Sequence, residues 1–323
     1  MNLNKYLEYL KKCNKLLGEL SIRIDCNKIF IWLDHLYCAI RHGCLIRQYV
    51  YGDFYRLSRI DRKASLTYRR IHKLFEKCNQ PGSIHILENK KDFNVNFKDL
   101  VKRRWLYTPD MTYDEFCDFA DKNMEAIVKP LLLSEGEGVH KIKVPQKDSD
   151  RKSKFFELKQ NESLVEEVIK QHKDMSFNLK SVNTSRMHTL LTKDGDVLCF
   201  KPVLRVGVGN AVIDNYCAGG SVYEVDVDDG VVIGVSLSKD HKKNKVHPGT
   251  TIMMLGYQVP NWDKVIDGVK EAAKLLPQCR FIGWDVSITD NGIELIEGNH
   301  NTDYEFLEFQ GTRGWYRRLK HLV

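Results

Sequence analysis

The chain has 323 residues, of which 42% are hydrophobic and 29% charged, and its formal net charge is +7. This composition excludes a largely disordered chain and a single small module, and it fits two or three packed subdomains. The basic excess is too small to choose among nucleic acid, anionic lipid and phosphorylated substrates. The nine cysteines are scattered and form no CxxC pair, which argues against a structural zinc site or a disulfide framework. We expect a cytoplasmic protein without a signal peptide or a transmembrane segment.

An N-terminal helical region is predicted over residues 1–83. Leucines at helical spacing predict a first helix over 3–20, and further helices are predicted over 29–42 and 63–78. Arg and Tyr are dense between residues 47 and 73, which fits a solvated helical face or contact with an anionic partner. The first helix fits packing on its own domain, and a peripheral membrane contact stays open.

A second domain is predicted over residues 84–180. Its predicted elements are a short strand and turn over 83–94, a helix over 97–109, a capped helix from Thr112 with Glu115 in a capping box, strands over 125–133 and 140–144, and a surface loop over 145–157. The third predicted domain, 181–323, is rich in short strands and contains one helix closed by Pro277. Its last two strands read as a hairpin around Asp290-Asn291-Gly292.

The C-terminal hairpin carries the most specific chemical signal. Asp285 lies in the strand FIGWDVSIT, and Glu297 and Asn299 close the partner strand. Residues two apart on a strand point to the same side, and the turn brings Asp285 beside them. Carboxylate and amide oxygens are ligands that Mg²⁺ prefers, so we predict a magnesium site here rather than exposed acids at a strand end.

With this hairpin, the sequence resembles the ATP-grasp superfamily, and more closely the sugar-transfer-associated ATP-grasp proteins of bacterial exopolysaccharide biosynthesis. The segments that carry the resemblance run from about residue 85 to 300 and include AIVKP, SEGEGV, LVEEVIKQH, SVNTSRMHT, VLRVGVGNAVIDNYCAGG, HPGTT and GWDVSITDNGIELIEGN. The resemblance implies an α+β fold in which two lobes with mainly antiparallel sheets clasp ATP, after an N-terminal helical region. It implies ATP and Mg²⁺ as cofactors.

The resemblance also implies which residues bind the nucleotide and which take part in catalysis. A Lys at a strand end can neutralise a phosphate, and the alternative is an ordinary surface Lys. An Arg can clamp a carboxylate or a transferring phosphoryl group, and the alternative is a salt-bridged strand Arg. The resemblance favours the first interpretation in both cases. The implied nucleotide-binding residues are Lys129, Ser134, Gly136, Gly138, Glu166, Glu167, Val168, Ile169, Asp174, Asn183, Asp214 and Asn215. The implied catalytic residues are Arg186, Lys201 and Arg205.

These assignments predict an ADP-forming carboxylate–amine ligase that acts through an acyl phosphate, in bacterial surface polysaccharide modification or biosynthesis. Family context implies a small acid, such as an amino acid, and an amino-bearing sugar or its carrier as substrates, and we expect no nucleic acid partner. Two alternatives stay open: an ATP-grasp kinase that phosphorylates a hydroxyl, and a non-catalytic basic module that binds polysaccharide or nucleic acid, for which residues 47–73 are the support.

Overall fold

The computed structural model describes residues 3–133, 136–177, 181–207, 220–238, 244–302, 307 and 314–323. The chain divides into two compact units. We call Met1–Cys78 with Asn301–Val323 the helical unit, and Asn79–His300 the sheet unit. The three predicted domains, 1–83, 84–180 and 181–323, stay a prediction.

The described residues form helices and strands with the following bounds. The helices are α1 (Leu3–Arg23), α2 (Lys28–His42), α3 (Ile46–Tyr51), α4 (Arg59–Ala64), α5 (Tyr68–Cys78), α6 (His85–Glu88), α7 (Lys90–Asn96), α8 (Tyr113–Lys122), α9 (Asp148–Lys159), α10 (Trp262–Leu275) and α11 (Trp315–Leu319). The strands are β1 (Trp105–Tyr107), β2 (Glu125–Pro130), β3 (His140–Lys143), β4 (Ser163–Glu167), β5 (Thr184–Leu191), β6 (Val197–Val206), β7 (Ser221–Glu224), β8 (Leu237–Ser238), β9 (Phe281–Thr289) and β10 (Gly292–Asn299).

Helix α2 of the helical unit is fixed at both ends by its flanking residues. The side chain of Asn27 accepts a hydrogen bond from the N–H of Ile29 at 2.9 Å, which satisfies a donor left unpaired at the helix start. Gly43 ends the helix at φ 68° and donates its N–H to the carbonyl of Ala39. The core of the unit lies mainly between α1, α2 and α3.

Arginines of the Arg/Tyr-rich segment stabilise the helical unit from within. Arg62 donates to both carboxylate oxygens of Asp34, at 2.6 and 2.9 Å. Arg70 donates to the carbonyl oxygens of Arg62 and Ser65, at 2.8 and 2.7 Å. These two arginines therefore connect α2, α4 and α5 instead of facing solvent.

The sheet unit contains two sheets whose strand pairs are antiparallel. The four-stranded sheet has the order β1-β4-β2-β3, and the six-stranded sheet has the order β10-β9-β5-β6-β7-β8. Helices α8 and α9 cover the small sheet through Phe116, Phe119 and Phe155. Helix α10 packs on the large sheet, and Gly268 allows a close approach, since an added Cβ would lie 2.1 Å from Cδ1 of Ile293. The predicted α+β fold class is confirmed.

Three local predictions in the sheet unit are wrong. Residues 83–94 form helices, because the Asn89 side chain caps α7 by accepting from the N–H groups of Lys91 and Asp92. Residues 97–109 contain β1, whose pairing with β4 outweighs helix propensity. The predicted loop at 145–157 is mostly α9, which buries Phe155 and Leu158 on one face.

A fourth prediction, a single helix over 63–78, is wrong, and two other predictions are confirmed. The predicted helix over 63–78 is broken into α4 and α5, and Ser65 ends the first of them. The capping box of Thr112 and Glu115 is present at the start of α8. The C-terminal hairpin forms as β9 and β10.

Candidate functional site

The C-terminal hairpin brings Asp285, Glu297 and Asn299 to one place. Glu297 on β10 lies directly opposite Asp285 on β9, and Nδ2 of Asn299 donates to Oε1 of Glu297 at 3.2 Å. The register between the strands shifts from Leu295 to Glu297, so Ile296 is the extra residue of a β-bulge. Because a bulge moves the following side chains to the other face, it is this bulge that puts Glu297 on the side of Asp285.

Asp285 is buried between two arginines from neighbouring strands. Arg186 on β5 donates from Nε to Oδ1 and from Nη2 to Oδ2, both at 2.6 Å. Arg205 on β6 donates from Nη1 to Oδ2 at 2.7 Å. Burial opposes ionisation of the carboxyl, but the charges of Arg186 and Arg205 outweigh it and hold the pKa of Asp285 well below its usual range. Both predicted catalytic arginines therefore contact a predicted magnesium ligand.

Of the two facing acids, Asp285 and Glu297, Glu297 is the more exposed. Its side chain is 47% exposed, and its Oε1 lies 3.7 Å from Nη2 of Arg186. Loss of hydration and then the adjacent Asp285 carboxylate raise the pKa of Glu297 above its usual value. Because the Asp285 carboxylate disfavours charge on Glu297, a cation added beside the two acids would be stabilising.

The small sheet contributes a second group of charges. Nζ of Lys129 on β2 lies 2.6 Å from Oε2 of Glu166 on β4, and Arg103 binds the same oxygen at 2.8 Å. Burial opposes ionisation of Glu166, but Arg103 and Lys129 outweigh it and hold its pKa well below the usual range. Arg103 also reaches Oε1 of Glu294 on the hairpin at 2.8 Å, so one guanidinium joins the two sheets.

Lys90, at the start of α7, is a further candidate for the site, and the sequence interpretation did not name it. Its ammonium donates to the carbonyl oxygens of Leu131 and Leu133, just after β2. Burial lowers the pKa of Lys90, Glu297 opposes this shift and Lys129 adds to it, so the three side chains lie within electrostatic reach of one another. No sequence signal distinguishes Lys90 from Lys91, which lies in the same helical turn.

Four of the implied nucleotide-binding residues, Glu166 to Ile169, occupy the end of β4 and the two positions after it. The carboxylate of Glu166 is directed to Arg103 and Lys129, and Glu167 accepts a hydrogen bond at Oε2 from the N–H of Arg104 at 2.9 Å. Val168 and Ile169 follow the strand end. Contact of these four residues with a nucleotide stays a prediction.

Asp174 and Asn183 lie close to each other in the fold but differ in exposure. Asp174 is in the short 3₁₀ turn Lys173–Met175, and its side chain is 56% exposed. Asn183 is fully buried, donates to the carbonyl of Met175 at 2.6 Å and accepts from the N–H of Gly207 at 2.9 Å. Asn183 thus ties the turn to the end of β6, and its predicted contact with nucleotide remains untested.

Lys201 pairs with a different acid from the two arginines. Its ammonium forms a buried ion pair with Glu224 on β7, and its backbone has a φ of 45° where the β5–β6 register shifts. Burial raises the pKa of Glu224, although the charge of Lys201 opposes the shift. Lys201 and Arg186 both act electrostatically on the buried His188, which therefore lies between the two ion pairs.

The glycine turn between β2 and β3 is described in part. Gly136 and Gly138 have φ values of 78° and 71°, in the left-handed region that favours glycine. A Cβ on Gly138 would lie 2.7 Å from Cγ of Pro130, so this position also requires close packing on the end of β2. Ser134, Asp214 and Asn215 lie outside the described residues.

The sequence of the whole region matches one family model. That model is described as sugar-transfer associated ATP-grasp, and it matches residues 69–323. The chain belongs to the sugar-transfer associated ATP-grasp family. Both sheets and the charged residues described above lie within the matched range.

Comparison with known proteins adds distant structural neighbours of this ATP-grasp protein. No curated protein matches the sequence. The ATP-grasp ligase PsnB, complexed with a minimal precursor, is 13% identical with a TM-score of 0.47, over 76% of this chain and 64% of that one. The N5-carboxyaminoimidazole ribonucleotide synthetase purK, in its ADP complex, is 11% identical with a TM-score of 0.42, over 68% and 46%. The D-alanine–D-alanine ligase from Coxiella burnetii is 12% identical with a TM-score of 0.39, over 67% and 48%. The ATP-grasp chain thus spans less than two thirds of the length of each neighbour.

The donor set at the hairpin of this ATP-grasp protein fits Mg²⁺. Asp285, Glu297 and Asn299 offer hard oxygen atoms, and Glu297 is accessible. In the described part of the chain, no three His, Cys, Asp or Glu side chains come together as a metal site. Two carboxylates and an amide suit Mg²⁺, which usually keeps water and phosphate oxygens among its ligands, better than a metal that needs a complete protein cage.

Proposed function

We propose that this ATP-grasp protein is an ADP-forming carboxylate–amine ligase that activates its acid as an acyl phosphate. The observation that carries the proposal is the alternation of charge around the hairpin. The oxygen ligands Asp285, Glu297 and Asn299 are flanked by Arg186 and Arg205 from the large sheet, and Lys90 and Lys129 lie toward the small sheet. Such an arrangement suits a polyphosphate with its cation better than a neutral substrate.

The proposed reaction has two steps. A carboxylate oxygen of the acid attacks the γ-phosphorus of ATP, the bond to the bridging oxygen breaks, and ADP leaves. An amine then attacks the acyl carbon and loses a proton, and inorganic phosphate departs. Neither step needs a covalent nucleophile from the protein, since positioning and charge stabilisation dominate phosphoryl transfer.

The residues of the chain would hold and neutralise the reacting groups. Arg186 and Arg205, fixed by Asp285, present guanidinium groups that can stabilise charge on the phosphoryl group in transit. Lys129 and Lys90 would neutralise oxygens of the nucleotide phosphates. Mg²⁺ held by Asp285, Glu297 and Asn299 would supply Lewis-acid stabilisation of phosphate oxygens.

The test is trapping of the acyl phosphate with hydroxylamine. The full chain is incubated with ATP, Mg²⁺ and a panel of small acids, with amino acids and uronic acids included, and ADP and hydroxamate are measured. We expect ADP and hydroxamate in equal amounts, and a loss of about 10²-fold or more in kcat for Glu297→Gln. Glu125→Gln is the matched control. Like Glu297, Glu125 lies on a strand with a side chain that is 47% exposed, but its partner is Lys141 on the neighbouring β3.

The result also separates the ligase from a kinase. ADP with a stable phosphorylated product, and no hydroxamate, would identify transfer to a hydroxyl and overturn the ligase proposal. Equal activity in Glu297→Gln and Glu125→Gln would remove the hairpin from the reaction. The family's association with sugar transfer makes an amino sugar, or a carrier that bears one, the first amine to test.

A further inference from the structure

One face of helix α2 exposes a row of apolar side chains. Its apolar stripe, in which every side chain is 51–68% exposed, consists of Ile29, Phe30, Leu33, Leu36, Tyr37 and Ile40. These positions recur at helical spacing, so they share one face. In contrast, His35 is 4% exposed, and Asp34 is tied to Arg62 and Tyr49. A contiguous apolar face of this kind marks an interaction surface.

The region around the stripe is strongly cationic. Residues 1–78 contain 16 Lys and Arg against seven Asp and Glu, a formal charge of +9, whereas the rest of the chain has 34 against 36, a charge of −2. Lys28 and Arg41 lie at the two ends of the stripe on the same helix. The single acid of α2, Asp34, is already paired, so the helix offers no free anion to a partner.

A cavity of about 520 Å³ adjoins the C-terminal end of the stripe. Its lining includes Tyr68, Arg69, His72 and Lys73 together with one acid, Glu76. Nη2 of Arg69 donates to the carbonyl of Ile40 at 2.9 Å, so the cavity lies directly beside the last residue of the stripe. Two cations and a phenol next to an apolar face are suited to a phosphate group at a lipid boundary.

We propose that α2 docks on an anionic membrane surface. The stripe enters the boundary between headgroups and acyl chains, while Lys28, Arg41, Arg69 and Lys73 face the lipid phosphates. Among the described helices, none is long and apolar enough to cross a membrane, so this association is peripheral. A second copy of the chain is a poorer occupant, because antiparallel pairing of two α2 helices would bring Lys28 against Arg41 between two regions of charge +9.

The experiment is sedimentation of the full chain with vesicles. Phosphatidylcholine vesicles with about 40% phosphatidylglycerol are compared with pure phosphatidylcholine vesicles. We expect binding to the anionic vesicles alone, and release as salt rises to roughly 0.5 M. The double variant Phe30→Ser/Leu33→Ser should lower the partition coefficient at least about tenfold without a change in charge. Its control is Met124→Ser/Phe156→Ser, which removes two side chains of similar exposure, 68% and 65%, from the sheet unit.

Circular dichroism spectra verify that both double variants keep the helical content of the wild type. Failure of the wild type to sediment with anionic vesicles overturns the proposal, as does equal partition of the two double variants. Sedimentation velocity without lipid tests the other possible occupant of the stripe, a second copy of the chain. A wild-type dimer that Phe30→Ser/Leu33→Ser dissociates, with no vesicle binding by the wild type, would assign the stripe to self-association and reject the lipid surface.

Discussion

Glu166 on β4 and Glu294 on β10 accept hydrogen bonds from the same guanidinium, that of Arg103. The two donor–acceptor distances are each 2.8 Å, and the three side chains are at most 6% exposed. Arg103 also donates to the carbonyl of Leu295 at 2.7 Å. Lys129 supplies the second cation at Glu166, so two buried acids are balanced by two cations. Removal of Arg103 takes away one of these two cations and leaves the buried carboxylates of Glu166 and Glu294 with too little positive charge beside them.

The first prediction concerns this ion-pair network. Arg103→Met should lower the free energy of unfolding by about 3–5 kcal/mol, because the buried carboxylates of Glu166 and Glu294 lose their guanidinium partner. Urea unfolding followed by circular dichroism measures the change. Lys122→Met is the control, since Lys122 is 60% exposed and pairs with Asp118 on the surface, and we expect a change within about 0.5 kcal/mol. Similar losses in the two variants would contradict the prediction.

The second prediction tests Lys90 as a phosphate contact of the proposed ATP site. Lys90→Met should lower kcat/KM for ATP by about 10–100-fold, because an ammonium near the phosphates is removed. Lys91→Met is the matched control on the same turn, since Lys91 pairs with the exposed Asp110 at 2.6 Å. An unchanged kcat/KM in Lys90→Met, or an equal loss in Lys91→Met, would exclude this role.

The third prediction is a pH dependence set by His188. The ring is fully buried, its Nδ1 lies 2.9 Å from the carbonyl of Lys201, and burial lowers its pKa to about 3. An unfolded histidine binds its proton near pH 6.5. Between these values the unfolded state holds a proton that the folded state lacks. The contribution of His188 to the free energy of unfolding is therefore complete above pH 6.5 and falls with decreasing pH, by up to about 1.4 kcal/mol per pH unit.

Urea unfolding at several pH values between 6.5 and 4.5 measures this slope. In the His188→Gln variant, the slope of unfolding free energy against pH should be smaller by nearly the contribution of one proton. This expectation holds whatever the stability of the variant is at pH 7. His85→Gln, at an exposed position, should leave the slope as in the wild type. If both variants and the wild type lose stability in parallel, His188 does not titrate in this way.

The fourth prediction separates steric contact from backbone strain at two glycines. A Cβ on Gly230, where φ is 75°, would lie 2.4 Å from Cγ of Trp262 at the start of α10, whereas Gly249, at φ 97°, has no atom within 4 Å. Gly249→Ala should cost about 1–2 kcal/mol from strain alone. Gly230→Ala should cost about 1–3 kcal/mol more, because Trp262 must move. Thermal unfolding of the two variants compares them, and equal losses would show that the contact at Trp262 relaxes freely.

The sequence predicted that Asp285 and Glu297 are neighbours, but it did not predict the β-bulge that brings them opposite each other. A regular two-residue turn after Thr289 would pair Asp285 with Ile296, and only the bulge brings Glu297 opposite Asp285. Alternation along a strand does not reveal where an extra residue is inserted, because the bulge is set by pairing across the sheet. The proximity was predicted, and its cause was visible only in the structure.

Charged residues were harder to place than apolar ones. Glu166 and Lys129 were assigned separate roles from sequence, yet they form one ion pair with Arg103, which carried no sequence signal. Such partners are set by tertiary packing between strands far apart in sequence. In α9, Phe155 and Leu158 share a buried face, but the charged residues before them led to the prediction of a loop.

The ion pairs of Arg103 connect the two sheets of the sheet unit at one point. They clamp β4 to β10, so any rocking of the four-stranded sheet against the six-stranded one must pivot near this point. Displacement grows with distance from a pivot, and β3 is the edge strand two places beyond β4. In such rocking, the edge strand β3 would be displaced farther than β4, because it lies two strands away from the ion pairs of Arg103.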